Sequence, residues 1–195
     1  MTALIILAAG SSSRLGQPKQ NLVFKDKTLL QRAIETGLAS KCGPVIVVLG
    51  ANAELIQPSI QYPGVRVMIN QDWAEGMASS VKFAIMEVEK KKQIDSAIIM
   101  LCDQPFVSAE LLDNLGKTHL DAGTPIVASS YLNTIGVPAL FHRSLFSELG
   151  KLTGHEGAKK IIKAHQDQIT SIPFNMGGVD IDTITDYHRL INSGK

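Results

Sequence analysis

The sequence predicts an α/β fold with a doubly wound, mostly parallel sheet. Short apolar runs alternate with amphipathic stretches along the 195 residues. The apolar runs are β-branched and nearly uninterrupted, which is typical of strands buried on both faces of a parallel sheet. The amphipathic stretches repeat their apolar residues at helical spacing. This alternation favours parallel strands joined by right-handed helical crossovers.

The first two thirds of the chain contain most of the predicted strands. These strands cover residues 4–8, 45–49, 65–69, 97–102 and 126–129. Helices are predicted over residues 28–39, over 77–91 and after Ser108, whose hydroxyl suits a helix N-cap. In the first helix, Leu30, Ala33 and Ile34 belong to one apolar stripe.

The pattern changes after residue 131. Strands are predicted at 137–141 and 169–172, and helices at 144–149, 157–165 and 185–191. Residues 177–181 are predicted as an apolar, then acidic, strand end. Because no linker, repeat or low-complexity tract interrupts the chain, we expect one domain over residues 1–195.

Composition narrows the function classes. The chain is 45% hydrophobic and 19% charged, with a net charge of +1, so electrostatics give no reason to expect a nucleic-acid or membrane partner. No apolar run approaches the roughly twenty residues of a membrane span, and no secretory signal is evident. Cys42 and Cys102 form neither a CxxC pair nor a zinc-like cluster, so we expect free thiols and a cytoplasmic location.

The most informative segment follows the first predicted strand. It reads Leu7, Ala8, Ala9, Gly10, Ser11, Ser12, Ser13, Arg14, Leu15, Gly16, Gln17, Pro18, Lys19. Small side chains allow backbone N–H groups to approach a polyphosphate, and Arg14 and Lys19 can neutralise its charge. An ordinary strand-to-helix turn has a similar composition, but the two cations favour anion binding.

Several familiar motifs do not fit. A P-loop is excluded because five residues separate Gly10 from Gly16 and Gln17 follows. The dinucleotide fingerprint needs a third glycine, and no acid follows the second predicted strand at 49–52 to bind a ribose. A nicotinamide oxidoreductase is therefore disfavoured. No Gly-x-Ser-x-Gly elbow or zinc-like histidine spacing occurs.

Three aspartates are candidate metal ligands. Asp103 follows the predicted strand 97–102, and Pro105 prevents that strand from continuing. Asp180 and Asp182 lie two residues apart, so on an extended chain they share a face. Carboxylates that converge beside a triphosphate would hold Mg²⁺. The alternatives are a turn or helix-start carboxylate for Asp103, and a solvated strand end with Asp182 or Thr183 capping the last helix.

Four segments in this order resemble the MobA-like nucleotidyltransferases, and the molybdenum-cofactor cytidylyltransferase branch is the most similar. The segments are Leu7-Ala8-Ala9-Gly10 through Pro18-Lys19-Gln20, Gly76-Met77-Ala78-Ser79-Ser80-Val81, Leu101-Cys102-Asp103-Gln104-Pro105, and Asp180-Ile181-Asp182-Thr183 with Asp186-Tyr187. The resemblance implies a Rossmann-like sheet of the nucleotide-diphospho-sugar transferase type. Residues 1–105 would bind the nucleotide, and residues 106–195 would supply the acceptor side and the second metal motif.

The resemblance also implies a reaction. An acceptor phosphate would attack the α-phosphate of a nucleoside triphosphate, and pyrophosphate would leave. The catalytic residues would be Lys19 at the α-phosphate, Arg14 with the backbone of residues 9–13 at the β- and γ-phosphates, and Asp103 at Mg²⁺. Asp182 and Asp180 would complete the metal site. In this branch the donor is CTP and the acceptor is molybdopterin-bound molybdenum, with a molybdoenzyme as possible client.

Recognition of the base is assigned to the segment 70–80. The hydroxyls of Ser79 and Ser80 are predicted to read a pyrimidine, the alternative being a polar N-cap for the following helix. Trp73 would stack on a ring or anchor the packing. Ala9 fits the cytidylyl-transferring branch, because the guanylyl-transferring branch tends to have Leu-Ala-Gly-Gly there.

One departure from the family pattern keeps other functions open. The family usually has Gly-Asp-x-Gly-Ala where this chain has Gly154, His155, Glu156, Gly157 and Ala158. We assign His155 no catalytic role, since a lone loop histidine is usually solvated, and Glu156 is the alternative substitute for the acid. A different phosphorylated acceptor, such as a sugar or alcohol phosphate, remains open. So does a non-catalytic module that delivers a nucleotide or cofactor.

Overall fold

A computed structural model describes residues 1–193 as a seven-stranded sheet flanked by helices, with a separate two-stranded ribbon. The sheet order is β5-β4-β1-β6-β8-β7-β9. Its strands are β1 (Thr2–Ala8), β4 (Val45–Leu49), β5 (Val65–Ile69), β6 (Ser96–Leu101), β7 (Ile126–Tyr131), β8 (Thr134–His142) and β9 (Ile169–Pro173). The ribbon is β2 (Val23–Phe24) with β3 (Lys27–Thr28). The mostly parallel doubly wound fold is therefore confirmed.

The helices follow the strands in the expected alternation. They are α1 (Leu29–Ala39), α2 (Ala53–Ile56), α3 (Met77–Glu89), α4 (Ala109–Ala122), α5 (Phe146–Leu149), α6 (Ala158–Ala164) and α7 (Ile184–Ser193). A capping box at Thr28 starts α1, and the Ser108 hydroxyl accepts from the Leu111 N–H to start α4. Within residues 1–193, none of the helices combines the length and apolar composition that a transmembrane segment needs.

The sheet has a hydrophobic layer on each face. Alternate residues of β1 point to opposite sides, so Ile5 belongs to the layer that includes residues of α3, α5 and α6, while Ile6 belongs to the layer that includes residues of α1, α2 and α4. A third cluster joins Leu15, Leu22 and Phe24 to Ile181 and Leu190, and so attaches α7 to the N-terminal loop region. This cluster brings the end of the described chain beside the segment that follows β1.

The C-terminal half differs from the prediction in two ways. Strand β8 is longer than residues 137–141 and runs antiparallel to both β6 and β7. The prediction of a strand at 177–181 is wrong, because the structure has turns and irregular chain there. Gly177 and Gly178 lie so close to the side chains of Tyr131, Phe174 and Leu132 that a Cβ would collide with them. The backbone of this segment is therefore held by close contact with side chains, whereas a strand would be held by hydrogen bonds to a neighbouring strand.

The carboxyl ends of β1, β4, β5 and β6 lie at one edge of the sheet, because these four strands are parallel. In open α/β sheets ligands bind at this edge. Each predicted site segment except the last directly follows one of these strands. The last segment, 180–182, reaches the same edge through a hydrogen bond from the Ile181 N–H to the Asp103 carbonyl (3.3 Å).

Candidate nucleotide-binding site

A cleft of about 490 Å³ opens at the carboxyl edge of the sheet. Its lining comes from the loop after β1, the end of β6, the start of α3 and the loop before α6. The lining residues are Leu7, Ala8, Ala9, Gly10, Ser11, Lys19, Gln20, Trp73, Ala74, Gly76, Met77, Ser80, Leu101, Cys102, Asp103 and His155. A volume of this size accommodates a small organic ligand.

The loop after β1 presents unpaired backbone donors. Within residues 1–193, the structure records no acceptor for the N–H groups from Ala9 to Ser13. The loop is fixed instead through its other groups: the Ser12 hydroxyl accepts from the Lys19 N–H (3.0 Å), and Ser12 itself has a positive φ of 55°. Backbone N–H groups held in this way form a concave site for an anion.

Gln20 holds this loop from beneath. Its Nε2 donates to the carbonyls of Ala8 (2.7 Å) and Gly10 (3.2 Å), and only 1% of the residue is exposed. In a trans peptide the N–H points opposite to the carbonyl. The carbonyls drawn to Gln20 therefore direct the N–H groups of Ala9 and Ser11 away from it. Gln20 belongs to the predicted Pro18-Lys19-Gln20 segment, but the sequence did not predict this role for it.

Lys19 joins two of the predicted acidic residues. Its Nζ donates to Asp103 Oδ2 and to Asp182 Oδ1, each at 2.7 Å. Arg14 donates to the other Asp182 oxygen at 3.1 Å. The side chains of Lys19 and Asp103 are 15% and 10% exposed, so this is a nearly buried ion pair, while Arg14 is largely solvent-exposed. Ionic contacts thus connect residues from three separate parts of the chain.

The pKa shifts follow from this arrangement. Burial disfavours the ammonium of Lys19, but the charge of Asp103 and hydrogen bonds to Asp103 and Asp182 outweigh it and raise the Lys19 pKa. The hydrogen bond from Lys19 lowers the pKa of Asp182. Partial burial, followed by the charges of Asp103 and Asp182, raises the pKa of Asp180 to about 6. The charges of Asp103 and Asp182 therefore act on Asp180, whose pKa rises, whereas the pKa of Asp182 falls.

The acidic residues are not arranged as a complete metal cage. Among residues 1–193, no group of three or more His, Cys, Asp or Glu side chains is positioned to hold a metal ion. However, Asp103 Oδ1 is buried and has no hydrogen-bond partner within that described range. An unsatisfied carboxylate oxygen beside two further carboxylates fits the oxygen donors that a hard divalent cation prefers. The residues present are therefore compatible with one bound divalent ion.

A polar cluster follows β5. The Asn70 amide nitrogen donates to the hydroxyls of Ser79 (2.8 Å) and Ser80 (3.0 Å), and the Asn70 side-chain oxygen accepts from the Asp72 N–H (3.0 Å). Neither serine is the N-cap of α3. Gly76 occupies that position without a side-chain cap, so the capping alternative is wrong.

The wall opposite the β1 loop depends on close backbone contacts. Gly76 has a φ of +111°, and a Cβ there would lie 2.3 Å from the Gly154 carbonyl oxygen. The same carbonyl accepts from the Ala78 N–H at 3.1 Å. This contact places His155 in the cleft lining, although the sequence analysis gave His155 no role. Trp73 lines the cleft too, and its Cβ would contact any Cβ added at Gly50.

The structure thus places the predicted residues in two groups. Lining the cleft are Leu7, Ala8, Ala9, Gly10, Ser11, Lys19, Ser80 and Asp103. Outside the lining are Ser12, Ser13, Arg14, Ser79, Asp180 and Asp182. Of the second group, Ser12, Ser79 and Asp182 contact a residue of the lining directly. For Arg14 the contact is indirect, through Asp182 and then Lys19.

The missed residues Asn70, Gln20 and Gln104 are buried polar side chains close to strand ends. Gln104 donates to the carbonyls of Val137 and Gly177 and so ties the Asp103 turn to the C-terminal half. Only Asn70 directly follows a strand, so for this residue the available signal was a polar side chain after an apolar run, and the prediction named only its segment.

The chain is similar in sequence to proteins of known function. Nicotine blue oxidoreductase of Paenarthrobacter nicotinovorans is 29% identical and covers 96% of this chain and 95% of its own length. Molybdenum cofactor cytidylyltransferase of Escherichia coli is 36% identical over 118 residues, or 60% of this chain and 59% of its own.

Among solved structures, Rv0371c of Mycobacterium tuberculosis in complex with manganese superposes with a TM-score of 0.83. It is 27% identical, and the match covers 98% of both chains. Residues 4–169 match the MobA-like NTP transferase domain. With the free N–H groups of the β1 loop and the Lys19 ion pairs at one cleft, these matches identify the chain as a nucleotidyltransferase belonging to the MobA-like NTP transferase family.

Proposed function

We propose that this chain is a Mg²⁺-dependent cytidylyltransferase that transfers CMP from CTP to a molybdopterin-type acceptor and releases pyrophosphate. The observation that carries the proposal is Lys19, held between Asp103 and Asp182 beside a loop of free backbone N–H groups. The cytidylyltransferase relative from Escherichia coli and the Leu-Ala-Ala-Gly sequence support CTP and the acceptor class.

In this reaction a phosphate oxygen of the acceptor forms a bond to the α-phosphorus of CTP. The bond from that phosphorus to the bridging oxygen of the β-phosphate breaks, and pyrophosphate carries the electron pair away. The N–H groups of residues 9–13 and the Arg14 guanidinium bind the β- and γ-phosphates. Lys19 donates to the α-phosphate and stabilises the charge that develops there, while the loop orients the triphosphate for in-line attack.

Asp103, Asp182 and Asp180 would hold Mg²⁺, with the unpartnered Asp103 Oδ1 as the first ligand. The ion would supply neutralisation of the triphosphate charge. A manganese complex of a related mycobacterial protein supports a divalent ion in this fold. A bound cation would lower the Asp180 pKa, which burial and then the charges of Asp103 and Asp182 raise.

The two halves of the chain have different tasks in this proposal. Residues 1–105 bind the nucleotide, and residues 106–195 supply the acceptor side together with the 180–182 acidic segment. The protein acts in the cytoplasm, where Cys42 and Cys102 stay as free thiols. The modified cofactor then passes to a molybdoenzyme client.

The test is pyrophosphate release from CTP, GTP, ATP and UTP with molybdopterin, with Mg²⁺ or with EDTA. We expect CTP to be preferred, EDTA to abolish the reaction, and Lys19→Met and Asp103→Asn to lower kcat by about 100-fold or more. Lys90→Met is the matched control, because this exposed lysine at the end of α3 pairs with Glu87 and does not line the cleft. Full activity in both site variants would disprove the residue assignments.

His155 favours a second candidate within the same chemistry. It lines the cleft where the family usually has an aspartate, so a cation-capable side chain faces the acceptor side. This suits an acceptor with an additional anionic group, such as a sugar or alcohol phosphate. Pyrophosphate release with a panel of such acceptors decides between the two. Oxidation of NADH and NADPH is followed in parallel, because a relative of nearly equal length is named an oxidoreductase.

A further inference from the structure

We infer that Asn70 is a positioning residue that makes the Ser80 hydroxyl an obligate hydrogen-bond donor to an acceptor atom of the nucleobase. The inference rests on the proposed nucleotide site. It adds Asn70, which does not line the cleft, to that site. It also fixes the Ser80 hydroxyl, which lines the cleft, as a hydrogen-bond donor.

The orientation of the Asn70 amide follows from a backbone group. The Asp72 N–H can only donate, and it lies 3.0 Å from the Asn70 side-chain oxygen. The opposite end of the amide must therefore be the NH₂ group. Its two hydrogens are used by the Ser79 and Ser80 oxygens at 2.8 and 3.0 Å. Asn70 is only 3% exposed, so the amide is held by protein groups.

The two serines then differ in where their own protons go. The Ser79 hydroxyl donates to the Gly76 carbonyl at 2.9 Å, and the Ser79 N–H donates to the same oxygen. A helical serine at position 80 would ordinarily return its proton to this carbonyl, four residues earlier. Because that acceptor is already used twice, the Ser80 proton has no acceptor among residues 1–193. Ser80 also lines the cleft.

A fixed donor selects the chemistry of its partner. Cytosine presents acceptors at O2 and N3, whereas N3 of uracil and N1 of guanine carry hydrogens. A donor that cannot reverse its polarity leaves such an N–H unpaired in a desolvated position, which weakens binding. At the ring-nitrogen edge of the base, the Asn70–Ser80 contact thus favours cytosine over uracil and guanine.

The experiment measures affinities of the full chain for CTP, UTP and tripolyphosphate with Mg²⁺ by calorimetry. Asn70→Asp has nearly the same shape, but its carboxylate accepts from the Ser80 hydroxyl and so removes the donor. Ser80→Ala removes the hydroxyl itself. Ser96→Ala is the control: this serine is equally buried, pairs with Thr2, and begins β6 at the end opposite the cleft.

We expect CTP to bind about tenfold more weakly to Asn70→Asp and Ser80→Ala, with a smaller CTP-to-UTP ratio. Tripolyphosphate, which lacks a base, should bind as it does to wild type, and Ser96→Ala should leave all three affinities unchanged. A purely structural role for Asn70 would weaken tripolyphosphate binding equally.

Unchanged CTP binding in the variants, or equal losses for CTP and tripolyphosphate, overturns the inference. Should Asn70→Asp not fold, as seen by circular dichroism, Ser80→Ala alone decides, because it removes the same donor. The proposed function fails in a different way: wild type binds CTP with the stated selectivity but releases no pyrophosphate with any acceptor.

Discussion

Replacing Lys19 with methionine removes the cation from two carboxylates while keeping most of the length of the side chain. Asp103 is only 10% exposed and would be left as a buried charge that no other cation within residues 1–193 contacts directly. Breaking a buried pair in this way costs about 3–5 kcal/mol. We therefore expect the free energy of unfolding to fall by about 3 kcal/mol, since Asp182 stays with Arg14 and can reach solvent.

Urea unfolding followed by circular dichroism measures the loss. At about 2–4 °C per kcal/mol for a chain of this size, the midpoint of thermal unfolding should fall by roughly 10 °C. Adding Asp103→Asn to Lys19→Met removes the unpaired buried charge and should restore most of the lost free energy of unfolding. The control Lys90→Met should change it by about 0.5 kcal/mol or less, because its pair is exposed.

A divalent cation gives an independent readout of the same contact. Mn²⁺ should stabilise Lys19→Met more than wild type, because in the variant it replaces the missing positive charge. The reasoning is refuted if Lys19→Met is as stable as wild type, or if Asp103→Asn makes the double variant less stable than the single one. Either result would mean that Lys19 does not compensate the buried Asp103 charge.

Three further predictions concern other parts of the site. Asp180→Asn should raise the thermal midpoint at about pH 8 and leave it unchanged near pH 3, because a carboxyl whose pKa rises to about 6 on folding weakens the fold as it ionises. Gly76→Ala should cost more than about 2 kcal/mol in urea unfolding, since φ is +111° and the Gly154 carbonyl leaves no room. Gln20→Leu should weaken tripolyphosphate binding about tenfold in calorimetry, because the loop carbonyls lose their donor.

Strands buried on both faces could be predicted from the sequence closely. β4 begins and ends at the predicted residues because it is a continuous, fully buried apolar run. β5 also has the predicted bounds, although Arg66 interrupts its apolar residues and the strand is only partly buried. Residues 177–181 have a similar apolar pattern yet form turns. The difference is tertiary: Gly177 and Gly178 fit against aromatic and leucine side chains contributed by β7 and the turn after it.

Part of the candidate site could likewise be predicted from the sequence, and part of it could not. Lys19, Asp103 and Asp182 were predicted together because they fall in segments that resemble one family and follow strand ends. Asn70 and Gln20 were not assigned roles, because their partners are set by tertiary geometry: loop carbonyls for Gln20, helix hydroxyls for Asn70. A buried amide has no periodic signature, so only its position after a strand could have pointed to it.

The Lys19 contacts also have a consequence for how the molecule assembles. Lys19 is separated from Asp103 by 84 positions and from Asp182 by 163. Such non-local pairings form late, because loop closure must precede them. On a ribosome, the Rossmann-like half can collapse while residue 182 is still unmade. The ion pair of Lys19 with Asp103 can therefore form before the one with Asp182, so the two contacts of one ammonium group arise at different stages of synthesis.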